Sequence, residues 1–150
     1  MRLAVACDHA ALEHKRAIIA HLRGQGHAVE DFGTDTPASC DYPDYAAPAC
    51  QAVAAGRAER AVLICGSGIG VSIVANKVPG IRCGLAHSVE TARLAREHND
   101  AQALAMGARF VDVPTALAMV DAWLNATFEP RHQRRLDKIA ACERAGRARS

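Results

Sequence analysis

Residues 61–70 read AVLICGSGIG, an apolar run that delivers one thiol, Cys65, to three glycines spaced two apart. Such a run ending in a glycine turn marks a buried parallel strand handing the chain to a helix. Successive backbone N–H groups at a helix start form an anion cradle, and glycine lets a ligand oxygen approach without a Cβ in the way. A helix start also favours the thiolate of a neighbouring cysteine. A thiolate beside such a turn suits proton abstraction next to a carbonyl, where an enediolate oxygen must be stabilised as it forms. A strand-end cysteine used for packing fits the same residue equally well.

Other uses of the turn are excluded by spacing. With glycines at 66, 68 and 70, position 71 is Val, where the dinucleotide fingerprint needs Gly or Ala and a cysteine phosphatase needs Arg. The Lys-Ser/Thr pair of a nucleoside-triphosphate loop is also missing. Neither His-Glu-x-x-His nor paired-carboxylate spacing occurs, so no metal and no cofactor are expected.

The elements that must position Cys65 follow from the hydropathy pattern. LAVAC at 3–7 is a buried strand, followed by Asp8-His9 and a helix carrying Leu12, Ile18, Ile19 and Leu22 that stops near Gly24 and Gly26. A short strand at Ala28 to Glu30 leads through the loop DFGTDTPASCDYPDY to a helix opened by Pro43 and running to about Ala55. After the third strand, GIGVSIVANKV reads as helix, IRCGLA as a fourth strand and SVETARLAREHND as a helix with a Ser start. AQALAMGARFVD gives a fifth strand bent at Gly107, and Pro114 opens a helix over Thr115 to Ala126. Strands alternating with helices imply right-handed crossovers and a mostly parallel, helix-covered sheet. Ligands bind beyond the carboxyl ends of such strands, which gathers Asp8, His9, Cys65, Gly66, Ser67 and His87 on one rim.

Composition sets the class. A chain of 150 residues fits one domain, and with half of them hydrophobic but 4% aromatic its core must rest on Ala, Val, Leu and Ile in closely packed layers. No apolar stretch approaches the length of a membrane helix, and Asp8 comes too early for a signal peptide, so a soluble cytoplasmic protein is expected. The six cysteines form no Cys-x-x-Cys pair and read mostly as small reduced hydrophobes. Charge is uneven: residues 131–150 carry +5 and the remainder −3. That basic arm reads as a helix with a packing face at Leu136, Ile139 and Ala140, and it lacks the aromatics that stack on nucleic-acid bases, so no nucleic-acid partner is expected.

CDHAA, DYPDYA, ICGSGIGVSIVANKVPGIR, REHNDAQALAMGAR and RHQRR occur in the order and spacing of type B ribose-5-phosphate isomerases and their relatives acting on six-carbon sugar phosphates. The chain resembles that family over residues 2 to about 140. The resemblance implies an α/β, three-layer, Rossmann-like fold, with a five-stranded mostly parallel sheet covered by helices on both faces. It implies one sugar-phosphate isomerase domain over 1–150, with 131–150 a C-terminal basic helical arm. The implied reaction interconverts D-ribose 5-phosphate and D-ribulose 5-phosphate through an enediolate.

The same resemblance assigns Cys65 as the base. Some relatives place that chemistry on a Glu at the position of Gly70, so this chain looks like the cysteine type. Backbone amides of Gly66, Ser67, Gly68, Ile69 and Gly70 would hold the oxyanion, with the Ser67 hydroxyl standing where many relatives have Thr. His98 looks like the acid that opens the furanose ring, and Asn99 like a sugar ligand; read alone, His98 is a helix-end histidine facing the dipole. Asp8, His9 and Tyr42 resemble substrate contacts, although Asp8 could simply cap a helix.

Arg131 and Arg135, four apart, would share a helix face with Arg134 and Lys138 nearby on the same arc. The family pattern gives Arg131 and Arg135, with Arg109, to the substrate phosphate; a solvated helix face is the bland alternative. His14, His21, His27 and His132 read as surface or packing residues, His132 lying within the clamp. Family members are dimers or dimer pairs whose pockets draw on both subunits, so a homodimer, possibly a tetramer, is implied. The alternatives are an isomerase of a six-carbon sugar phosphate such as allose 6-phosphate, and a non-catalytic nucleotide-binding module.

Overall fold

In the computed structural model, residues 1–148 are described, and five strands and six α-helices alternate along them. The strands are β1 (Arg2–Cys7), β2 (Ala28–Asp31), β3 (Arg60–Cys65), β4 (Cys83–Leu85) and β5 (Ala103–Gly107). The helices are α1 (Leu12–Gly24), α2 (Pro43–Ala54), α3 (Ile69–Lys77), α4 (Val89–Asn99), α5 (Val113–Asn125) and α6 (Gln133–Arg147). The sheet runs β2-β1-β3-β5-β4 with every pairing parallel. From β1 the chain steps one way to β2, whereas β3, β4 and β5 all lie on the other side of β1, with β5 inserted between β3 and the edge strand β4. The crevice of such a sheet opens where that reversal occurs, at the carboxyl ends of β1 and β3. Asp8 and Gly66 are the residues that follow those two ends, and the Asp8 N–H donates to the Ile64 carbonyl at 3.3 Å.

Side-chain alternation divides the core in two. Leu3, Val5, Cys7, Val62, Ile64, Leu104 and Met106 point at α1, α4 and α5, where Met119 and Trp123 complete the packing. Ala4, Ala6, Ala61, Leu63, Cys65, Ala103 and Ala105 face α2 and α3. Alanines on that face let the two helices lie close to the sheet, which is how a chain poor in aromatics fills its interior. The helices thus cover both faces, as the sequence implies.

Local signals place the ends. Ser88 and Thr91 form a reciprocal capping box at α4, Asp112 accepts the Thr115 N–H at α5, and Pro43 takes the first position of α2. Two boundaries and one packing face differ from the sequence reading. β4 is three residues long where 81–86 is expected, because the Arg82 N–H donates to the Gln102 side-chain oxygen at 2.9 Å and not to a strand carbonyl. Arg131 lies in a 3-10 turn, Pro130–His132, and the α-helix of the basic arm starts only at Gln133. Along α6 Leu136 is buried but Ile139 is 45% exposed, so the expected packing face is narrower within one chain. Residues 149–150 of the basic arm lie outside the described residues.

Candidate active site

The turn after β3 is built around its thiol. The Gly68 N–H donates to Cys65 Sγ at 3.1 Å, and the sulfur's residue, 4% exposed, forms the floor of an open pocket of about 400 Å³. Gly68 adopts φ 78°, and a Cβ there would lie 2.7 Å from Leu85 Cδ1 and from the Met106 carbonyl carbon, so this position requires glycine. The Ser67 Oγ accepts the Ile69 N–H at 3.2 Å. Two of the five amides that the resemblance offers to an oxyanion are therefore engaged inside the loop. The Gly70 N–H belongs to the first turn of α3, where no intrahelical carbonyl is available.

The other walls come from β1, the loop before α2, and the end of β5. Asp8, 7% exposed, accepts the Ala10 N–H at 3.0 Å and also lines the pocket, so it caps a turn and faces the ligand space together. His9 lines it too, and its Nδ1 accepts the Cys40 N–H at 3.2 Å with Cys40 Sγ at 3.7 Å. A neutral ring held this way carries its proton on Nε2. Cys40 is thus a positioning residue that the sequence reading left among the packing thiols. The Tyr42 ring sits over Gly70, and the Arg109 guanidinium over Gly66, where an added Cβ would come within 3.0 Å of its Cζ. Ile69 and Ile73 complete the rim at 53% and 55% exposure. His87, expected on the same rim, is not among the lining residues, since the short β4 sets it back at the sheet edge.

A second cluster forms elsewhere on the chain. His98, in the last turn of α4, lies 4.3 Å from the His132 ring, centroid to centroid. The Arg135 Nη1 donates to His132 Nδ1 at 2.8 Å, and Arg131 pairs with Glu129 at 2.5 Å. His132 is 8% exposed, so of its two readings, surface or packing, it takes the packing one. Burial above all, and then His98, Arg131 and Arg135, hold its pKa below the ordinary imidazole range. The two arginines do not share one α-helical face: Arg131 sits in the 3-10 turn paired with Glu129, and Arg135 donates to His132 from the first turn of α6.

Asn99 follows His98, and the backbone there is held by the residue just before β4: Arg82 Nε donates to the Asn99 carbonyl at 2.8 Å, and Nη2 to the Asp100 carbonyl at 2.9 Å. Arg82 is a second positioning residue that spacing alone did not reveal. His98, Glu129 and His132 also bring ligand-type atoms within 4.8 Å of one another, a grouping absent from any sequence motif. None of His98, Asn99, Arg131 and Arg135 lines the Cys65 pocket of the same chain.

The remaining thiols separate from Cys65 by environment. Burial pushes Cys7 and Cys50 up to about 12 and raises Cys83 as well, so these three stay protonated packing groups. All six cysteines are free. Among the described residues no helix is long and apolar enough to cross a membrane.

The chain is similar to known proteins over nearly its whole length. Ribose-5-phosphate isomerase B of Escherichia coli (strain K12) is 44% identical over 95% of this chain and 96% of its own. The structure of the Clostridium thermocellum ribose-5-phosphate isomerase B superposes with a TM-score of 0.94 at 44% identity, covering 97% of this chain and 99% of that one. That of the Mycoplasma genitalium ribose-5-phosphate isomerase B, solved with bound ribulose-5-phosphate, gives 0.91 at 39% identity over 95% and 96%. The family model described as Ribose/Galactose Isomerase matches residues 3–139. With a family model spanning nearly its whole length and relatives this similar end to end, the chain belongs to the ribose/galactose isomerase family.

Proposed function

We propose that this chain is a cytoplasmic aldose-ketose isomerase that interconverts D-ribose 5-phosphate and D-ribulose 5-phosphate. The observation that carries this reading is the Cys65 sulfur, held by the Gly68 amide at the floor of a pocket walled by Asp8, His9, Tyr42 and Arg109. Cys65 takes the C2 proton of the open-chain aldose and returns it to C1, while the hydroxyl proton passes from O2 to O1. The negative charge that develops on oxygen faces the glycine turn and the Ser67 hydroxyl, which stabilise it without reorganising. His9, with its proton on Nε2, and Asp8 orient the sugar hydroxyls.

Ring opening and phosphate binding are assigned to the second cluster, with His98 protonating the ring oxygen, Asn99 binding the sugar, and Arg131 and Arg135 holding the phosphate. These groups reach the Cys65 pocket when a second copy of the chain supplies them. Ile69 and Ile73, exposed on the pocket rim, support such a contact, since exposed apolar patches mark association surfaces. The functional unit is then a homodimer with two composite sites.

Replacement of Cys65 by Ala tests the assignment. Turnover is expected to fall by about 10² to 10⁴, the range of a positioned base, while ribulose 5-phosphate still binds by calorimetry. Near wild-type turnover would remove Cys65 from the mechanism. Because the family description covers galactose as well as ribose, a six-carbon phosphate is the second reading, and the ratio of kcat/KM for ribose 5-phosphate and allose 6-phosphate separates the two.

A further inference from the structure

The basic cluster already holds an anion that belongs to the chain. Arg131 donates from Nε to Glu129 Oε2 at 2.6 Å, with Nη2 at 2.5 Å from the same oxygen. His132 Nε2 lies 3.5 Å from that oxygen, too far for a hydrogen bond, and is a buried nitrogen without a partner. Since Arg135 donates to Nδ1 of this ring, the neutral imidazole carries its proton on Nε2, an orphan donor aimed at the carboxylate. The hydrogen bond from Arg131, with the charges of Arg131, His98 and His132, holds Glu129 below the usual carboxylate range. Its backbone is fixed as well, the Glu129 N–H donating to the Glu97 carbonyl at 2.8 Å.

We infer that Glu129 is a resident stand-in for the substrate phosphate, occupying Arg131 in the free protein and yielding it when the phosphate arrives. This rests on the reading of Arg131 and Arg135 as the phosphate clamp. A tethered carboxylate competes with any incoming anion. A monoanion offers Arg131 no more than Glu129 already does, whereas a phosphate brings greater charge and a third oxygen that can satisfy the His132 donor. Glu129 thereby sets the threshold at which the clamp engages and favours phosphate esters over carboxylates. The pair is shallow enough to be displaced, because Arg131 and Glu129 side chains are 67% and 38% exposed. Exposed ion pairs of this kind are weak, which sets the competition at about two- to fivefold in affinity.

Glu129→Gln keeps the shape and one acceptor oxygen and removes the charge. Titration calorimetry with inorganic phosphate and with ribulose 5-phosphate, alongside steady-state kinetics, is expected to show both ligands binding about two- to fivefold tighter and KM falling in step, with kcat retained. A gain in affinity is a result that structural damage does not produce. Unchanged or weakened phosphate binding in Glu129→Gln would overturn the inference. Arg131→Ala, measured beside it, is expected to weaken both ligands about tenfold or more. If Arg131→Ala binds phosphate as the parent does, the clamp reading fails and this inference with it. If only Glu129→Gln fails, the clamp stands and the resident-anion role does not.

Discussion

Cys65 differs from its fellow cysteines in what its sulfur touches, and that difference decides which thiol can do chemistry. Burial pushes Cys7 and Cys50 up to about 12, whereas the Cys65 sulfur accepts a backbone amide at a pocket floor. Sequence could point to Cys65 through the glycines that follow it, but it had no signal for Cys40, whose backbone N–H fixes the His9 tautomer across 31 residues. The Tyr42 wall gives a further test at this scale. An added Cβ at Gly70 would lie 2.4 Å from the Tyr42 ring, and that ring, 37% exposed, is free to swing outward. Gly70→Ala is therefore expected to change unfolding free energy by less than about 1 kcal/mol, as surface changes do, while KM rises severalfold as the wall moves. A variant that loses stability and keeps its KM would show Tyr42 to be scaffold and not pocket.

Among the elements, strands and helices were readable because each carries its own periodicity and punctuation: LAVAC and AVLIC as buried runs, Ser88, Asp112 and Pro43 as starts. What could not be read was tertiary. Nothing local says that Arg82 leaves the strand to bind the carbonyls of Asn99 and Asp100, or that Pro130 tightens the start of the arm into a 3-10 turn. The candidate site shows the same limit: its residues were identifiable by pattern, but their division into two clusters depends on crossovers between distant strands.

The helix opened by Pro114 carries the chain's one tryptophan, Trp123, fully buried against β1, β3 and β5. Its Nε1 donates to the Ala101 carbonyl at 3.2 Å, and the Arg60 guanidinium lies 5.4 Å from the ring centroid. Trp123→Ala leaves a large cavity and an unpaired carbonyl, so denaturant unfolding should register a loss of about 3–5 kcal/mol. A loss under about 1 kcal/mol would mean that α5 repacks freely over the sheet.

For the molecule as a whole, the proposed function requires that one chain hold two incomplete halves of a site. The Cys65 pocket holds the proposed base and oxyanion turn; the α4–α6 end holds His98 and the arginines proposed to bind phosphate. The proposed two-fold association would place each half against the other's complement, because an isologous contact presents the same pair of surfaces twice. The arm's positive charge and the negative remainder of the chain suit that arrangement. The most direct measurement mixes two variants impaired in different halves, Cys65→Ala and Arg131→Ala, after reversible dissociation and at substrate well below KM. If sites are composite, each mixed dimer regains one intact site, and random reassociation restores about a quarter of the parental activity. Activity that stays at the level of the separate variants would show that base and phosphate clamp belong to the same chain, and would contradict the account.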